Sequence, residues 1–300
     1  MTDFAVEWKN VSYAVPNGFW LKPKPIISDL EISLKKGYSL GIMGDNGAGK
    51  TTSLKLGVGL IRPCQGQVLI NGKSVTHPDT KQRIGFLSEH QYIYPHLRLG
   101  EWLSMLGRLS GVSHGDLQRR LQEVLDLLAL GKFEKTKMKV LSKGQIQRAG
   151  FAQAILHDPD ILFLDEPMSG LDPGWQDRIL NYLLDFKENG GSLIFSSHRL
   201  DDIFRLSDQV AVIHGGGLLG IHDINDLLSF QNYFRAVLYS DHMDAIKDLL
   251  PGTQVTTYSN GYCDLLLKAE ECNKFHEIIG RKQVALISFA PAPIDLGGGI

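Results

Sequence analysis

The run Gly44-Asp45-Asn46-Gly47-Ala48-Gly49-Lys50-Thr51-Thr52 constrains this chain more than any other segment. It matches G-x-x-x-x-G-K-[ST] and has the flanks that this pattern requires. A short, mostly apolar strand-like run, Tyr38 to Met43, precedes it, and a helix-like segment, Thr52 to Leu60, follows. The glycines let backbone N–H groups curl into a nest around phosphate oxygens. Lys50 can reach the β and γ oxygens, and the Thr51 hydroxyl can ligate Mg²⁺. Nucleotide binding is the expectation, with Asn46, Gly47, Ala48, Gly49, Lys50, Thr51 and Thr52 as contacts.

Further along, Ile161-Leu162-Phe163-Leu164 leads into Asp165-Glu166-Pro167. Four consecutive apolar residues suit a central parallel strand buried on both faces, and ligands of such sheets bind at the carboxyl ends of the strands. Two carboxylates at that end therefore fall where the phosphates are. By themselves they could equally cap a helix or face solvent. A second buried strand, Ser192 to Ser196, ends at Ser197 and His198, which puts an imidazole at the same edge.

Between these elements stands Leu141-Ser142-Lys143-Gly144-Gln145, followed by Ile146, Gln147 and Arg148. On its residues alone this is a loop entering a helix. Ser142 can donate to a phosphate oxygen, Gly144 permits close backbone approach, and a helix N-terminus favours an anion. LSKGQ about two dozen residues before ILFLDE resembles the signature of ABC-transporter ATPases. The resemblance covers residues 1 to about 230.

In that family the signature caps the γ-phosphate of ATP held by the opposite subunit. The resemblance thus assigns Ser142, Gly144 and Gln145 to the partner's nucleotide, and makes Asp172, in the D-loop-like run Ser169-Gly170-Leu171-Asp172, a further nucleotide-binding residue. It makes Asp165 the Walker B aspartate that holds Mg²⁺, Glu166 the residue that polarises the attacking water, and His198 the switch histidine. Ile84 to Ser88 resembles the Q-loop strand, but Glu89 stands where the family usually has Gln. Glu89 can accept hydrogen bonds from metal-bound water, yet it cannot donate, and it adds negative charge near Asp165 and Glu166. Glu89 is thus a candidate for both metal binding and catalysis, and a Glu here is familiar among exporter-type members. The family's adenine-stacking aromatic aligns with Val15. Tyr13, Phe19 or Trp20 could substitute, and the sequence does not choose among them.

The implied fold is α/β, a P-loop NTPase of the ABC ATPase type. It has a RecA-like parallel sheet, an antiparallel β subdomain, and a helical subdomain over about residues 90 to 155. Leu121, Val124, Leu125 and Leu128 recur there at i, i+3, i+4 and i+7. From 231 to 300 the strand and helix patterns alternate as β-α-β-β-α-β around an Asn260-Gly261 hairpin turn. The expectation is a small α+β, ferredoxin-like domain with a regulatory or dimerising role.

Composition narrows the class. With 300 residues, of which 43% are hydrophobic, a large core is available. A net charge of −2 without long basic runs argues against nucleic acid as partner. Cys64, Cys263 and Cys272 show no metal-ligand spacing and fit a reducing cytosol. No N-terminal signal segment stands out, and no stretch of ~18 apolar residues occurs. The expectation is a cytoplasmic, peripheral ATPase on the inner face of the membrane, using ATP and Mg²⁺. Its partners would be a transmembrane permease subunit and a second identical or paralogous ATPase. The competing reading is a soluble ABC-type ATPase uncoupled from transport. Its translation members carry two cassettes per chain and its repair members a long coiled coil, and neither is seen here. A kinase sharing the phosphate loop leaves LSKGQ unexplained.

Overall fold

The computed structural model describes residues 3–16, 23–230, 233–239, 254–257, 262–268, 271, 275 and 285–291. The chain forms two compact units, parted between Ile221 and His222, earlier than the boundary expected near 230.

The first unit begins with β1 (Phe4–Val15), β2 (Lys24–Lys35), β3 (Ser39–Met43), α1 (Lys50–Gly57), β4 (Gln65–Ile70) and β5 (Lys73–Ser74). It continues with α2 (Pro78–Lys81), β6 (Ile84–Leu87), α3 (Leu99–Leu109), α4 (His114–Leu127), α5 (Lys143–Ile155) and β7 (Ile161–Asp165). Then come α6 (Pro173–Glu188), β8 (Ser192–Ser196), α7 (Leu200–Leu206), β9 (Gln209–His214) and β10 (Gly217–Asp223), which runs across the boundary.

Two sheets result. One is antiparallel in the order β2-β1-β4-β5. Along β2 the buried residues Leu30, Ile32 and Leu34 alternate with exposed ones, as expected where one face is wet. The other sheet has the order β10-β9-β3-β8-β7-β6, with β9, β3, β8, β7 and β6 parallel. Every residue of β3, β7 and β8 is buried, so both faces are covered, with polar residues only at the strand ends. Trp8 fastens the two sheets. Its ring meets Phe163 edge-on at 6.1 Å, and its Nε1 donates to the Ser53 carbonyl on α1 at 3.2 Å.

The helical segment packs through α3, α4 and α5. Leu121, Val124 and Leu125 are buried on α4, as is Leu128 just beyond it, which is the stripe expected from the spacing. Ser113 caps α4 by accepting from the Asp116 N–H at 3.1 Å.

The second unit opens with α8 (Ile224–Phe230), followed by β11 (Tyr233–Tyr239), β12 (Gln254–Thr257), β13 (Tyr262–Lys268) and β14 (Ala285–Pro291). Its sheet order is β12-β13-β11-β14, antiparallel throughout. Strands β11 and β12 thus run parallel with β13 between them, and β13 and β14 run parallel with β11 between them. That is the strand order two split β-α-β units require. The helices expected over 241–250 and 270–280 lie outside the described residues, apart from Glu271 and Phe275. Phe275 is helical and buried. The Asn260-Gly261 turn also lies outside them.

Candidate nucleotide site

The phosphate loop leaves the buried end of β3 and turns into α1. Gly44 has φ +150, and a Cβ there would sit 2.0 Å from the Ile213 carbonyl oxygen, so only glycine lets the loop pass β9. Gly49 caps α1 with φ +111, where a Cβ would meet the Ile27 side chain at 2.5 Å. The Ala48 carbonyl accepts from the Gly216 N–H at 3.1 Å, which props the loop from the turn after β9. Lys50 is the first residue of α1. Its ammonium donates to the carbonyls of Gly44 at 2.6 Å and Asp45 at 3.1 Å, which places the positive charge over the loop where the helix dipole also favours an anion.

The carboxylates arrive from the neighbouring strands. Asp165 ends β7, pairs in register with Ser196 of β8, and is buried. Its Oδ1 accepts from the Ser196 hydroxyl at 2.7 Å, while Oδ2 is buried without a hydrogen-bond partner. A buried, unpaired carboxylate oxygen and a threonine hydroxyl on residues that line one cleft are oxygen donors of the kind a hard cation such as Mg²⁺ takes. Glu166 has φ +50, a left-handed backbone rare outside glycine, and its N–H donates to the same Ser196 hydroxyl at 3.0 Å. This turn brings Glu166 Oε2 to 2.9 Å from His198 Nδ1, beyond the end of β8. Burial raises the pKa of Glu166 above its ordinary value, and the nearby His198 and Lys50 pull against that rise.

These groups line one cleft of about 630 Å³. Asn46, Gly47, Gly49, Lys50, Thr51, Thr52, Glu89, Asp165, Glu166 and His198 all face it. Ala48 is buried behind the loop. Ser142, Gly144, Gln145 and Asp172 do not line it. Ser142 and Gln145 instead form a capping box on α5. The Gln145 N–H donates to Ser142 Oγ at 3.3 Å, and the Ser142 N–H donates to Gln145 Oε1 at 2.9 Å. Asp172 caps α6 by accepting from the Trp175 N–H at 3.1 Å. The cleft also contains Lys24 and Ile26, which the sequence did not single out, together with Asp45 of the phosphate loop and Ser169 of the D-loop-like run, and Ser196 stands behind it. The Ser196-Ser197-His198 run was the available signal for Ser196, because a hydroxyl paired in register with Asp165 reaches its carboxylate. At the C-terminal end of β1 Val15 is exposed, and Tyr13 is partly buried against the core. Phe19 and Trp20 lie outside the described residues.

The sequence profile of the family described as ABC transporter matches residues 27–169. An uncharacterized ABC transporter ATP-binding protein of Synechocystis sp. is 36% identical over 244 residues, covering 80% of this chain and 69% of that protein. The chain belongs to the ABC transporter family as an ATP-binding subunit. This ABC ATP-binding subunit is also 33% identical to the linearmycin resistance ATP-binding protein LnrL of Bacillus subtilis, over 69% of the chain and 67% of the relative. Among solved structures, an ATP-binding subunit of an ABC transporter superposes with a TM-score of 0.67 at 26% identity, over 74% of this chain and 91% of that one. A dimeric post-hydrolysis ATP-binding cassette bound to ADP and Pi superposes at 0.68, covering 73% of this chain and 98% of that one. At 23% identity it shows the fold alone. The ABC subunit therefore has the α/β P-loop NTPase fold read from its motifs. Among the described residues no helix is long and apolar enough to cross a membrane.

Proposed function

We propose that this subunit hydrolyses ATP in a composite site made by two cassettes and thereby drives a separate transmembrane permease, in the direction of export. One observation carries the reading. The cleft gathers Lys50, Asp165, Glu166 and His198 but leaves Ser142 and Gly144 outside it, which supports a capping motif supplied by a second chain.

The phosphate-loop amides and Lys50 bind the β and γ phosphates. Mg²⁺ would be held by Thr51, Asp165 and, in place of the usual Gln, Glu89, and would supply charge neutralisation for the phosphates. The Glu166 carboxylate accepts a proton from the attacking water as the water oxygen bonds to the γ-phosphorus. The bond from that phosphorus to the bridging oxygen breaks, releasing ADP and phosphate. His198 holds the carboxylate in place and donates toward the γ-phosphate. Ser142, Gly144, Gln145 and Asp172 act on the partner's ATP. The partner is a second copy or a paralogue, and the pair sits on the cytoplasmic face of the membrane.

Export is favoured by Glu89 and by relatives named for resistance and export, including the Nod factor export ATP-binding protein I of Cupriavidus pinatubonensis at 29% identity. The domain that follows the cassette, about 231–300, carries none of the nucleotide-handling residues and is assigned a regulatory or dimer-stabilising role. The test is purification from detergent-solubilised membranes. A co-purifying membrane protein that stimulates ATP hydrolysis supports coupling, while an active ATPase recovered wholly without one supports the uncoupled soluble reading.

A further inference from the structure

Helix α5 sets three residues of one face, Gly144, Gln147 and Arg148, against the segment that follows Glu166. Their spacing of i, i+3 and i+4 puts them side by side. A Cβ at Gly144 would come within 3.3 Å of the Gly170 carbonyl oxygen. Gln147 Nε2 donates to the Pro167 carbonyl at 3.3 Å. The Arg148 guanidinium lies 4.1 Å from the Trp175 ring centroid, and its Nη1 donates to the Leu128 carbonyl at the end of α4 at 2.8 Å. A second guanidinium, that of Arg178, is 4.9 Å from the same ring.

Two like charges beside one indole repel each other, so core packing alone does not account for the arrangement. Burial lowers the pKa of Arg148 from its ordinary value, while Asp172 opposes the shift. Partial removal from water is also the condition under which a cation gains most from an aromatic face.

We infer that Trp175 is a positioning residue: held by Arg148 and Arg178, it locks the signature helix to the helix capped by Asp172. The two segments destined for the partner's nucleotide then move as one body. This rests on the two-chain site proposed above. Trp175 does not line the nucleotide cleft, so its loss should leave the chain's own phosphate loop intact.

The test uses full-length heterodimers with ATP as the probe. One chain carries Lys50→Ala, so the sole intact phosphate loop faces that chain's signature. Trp175→Ala placed in the Lys50→Ala chain should lower kcat about tenfold, with KM little changed, whereas placed in the other chain it should have little effect. Trp175→Phe should retain most of the rate. Equal effects in both placements, no effect in either, or failure of Phe to rescue would overturn the clamp. Should Trp175→Ala aggregate, Arg148→Lys is read in the same assay, since it keeps the charge but loses the planar stacking group. A control heterodimer, Lys50→Ala with Ser142→Arg, separates the two claims. Its inactivity sinks the two-chain site and the clamp with it, and its activity without asymmetry for Trp175 sinks the clamp alone.

Discussion

His198 Nδ1 lies 2.9 Å from Glu166 Oε2, joining the ends of two neighbouring parallel strands across the mouth of the nucleotide cleft. The carboxylate that should receive the proton from water is thus oriented by a group that follows the neighbouring strand, and that contact bears on the titration of Glu166.

In the proposed mechanism Glu166 acts as the carboxylate. Burial, the larger effect, raises its pKa, so activity should fall on the acid side at a pH above that of an ordinary glutamate, about 4.3. His198 lowers this pKa through its charge and its hydrogen bond, so His198→Ala should move the acid limb of the kcat profile to higher pH. An unmoved limb would show that Glu166 does not set it.

Glu166→Gln should still bind ATP but hydrolyse it ~10²–10⁴-fold more slowly, with ATP-bound dimers accumulating. The same change has a stability signature. A raised folded-state pKa means that the contribution of Glu166 to stability is present at low pH and lost as pH rises through that value. The glutamine variant should therefore melt higher than wild type near neutrality, and the difference should shrink as pH falls. Wild-type turnover in the variant would remove Glu166 from this role.

Gly44→Ala should abolish nucleotide binding and destabilise the cassette. It places a Cβ 2.0 Å from the Ile213 carbonyl in a backbone conformation that itself costs about 1–3 kcal/mol. Gly47→Ala meets no atom within 4 Å at φ +84, so only the backbone strain applies and stability should fall less. Thermal melts with and without ATP compare the two, and equal losses would contradict the packing argument.

Val15 is exposed at the position that the resemblance aligns with the family's aromatic, and Tyr13 is partly buried against the core; without an aromatic stack on the base, the phosphates would dominate affinity. GTP should compete appreciably with ATP in equilibrium binding. Strict ATP preference that disappears in Trp20→Ala would show instead that Trp20 stacks on the base.

The parts of the site legible in the sequence are those written locally. The phosphate loop, the Asp165-Glu166 pair and His198 each follow a fully buried strand, and strand ends of a parallel sheet converge by topology. Ser196 escaped because its importance depends on register with Asp165, a relation between strands. The Arg148–Trp175 contact joins two helices and likewise leaves no local trace. The α4 stripe could be read from periodicity. The handover between units could not, because β10 and α8 continue an unbroken pattern of elements through Ile221 and His222.

The claim at the centre of this reading is that one ATP is handled by two chains, and mixing mutants tests it most directly. Lys50→Ala and Ser142→Arg subunits should each be inactive alone, since every homodimer lacks one half of both sites. Mixed, each heterodimer regains one intact pair, so a substantial fraction of ATPase activity should return. No recovery, in samples where heterodimers are shown to form, would contradict the two-chain site.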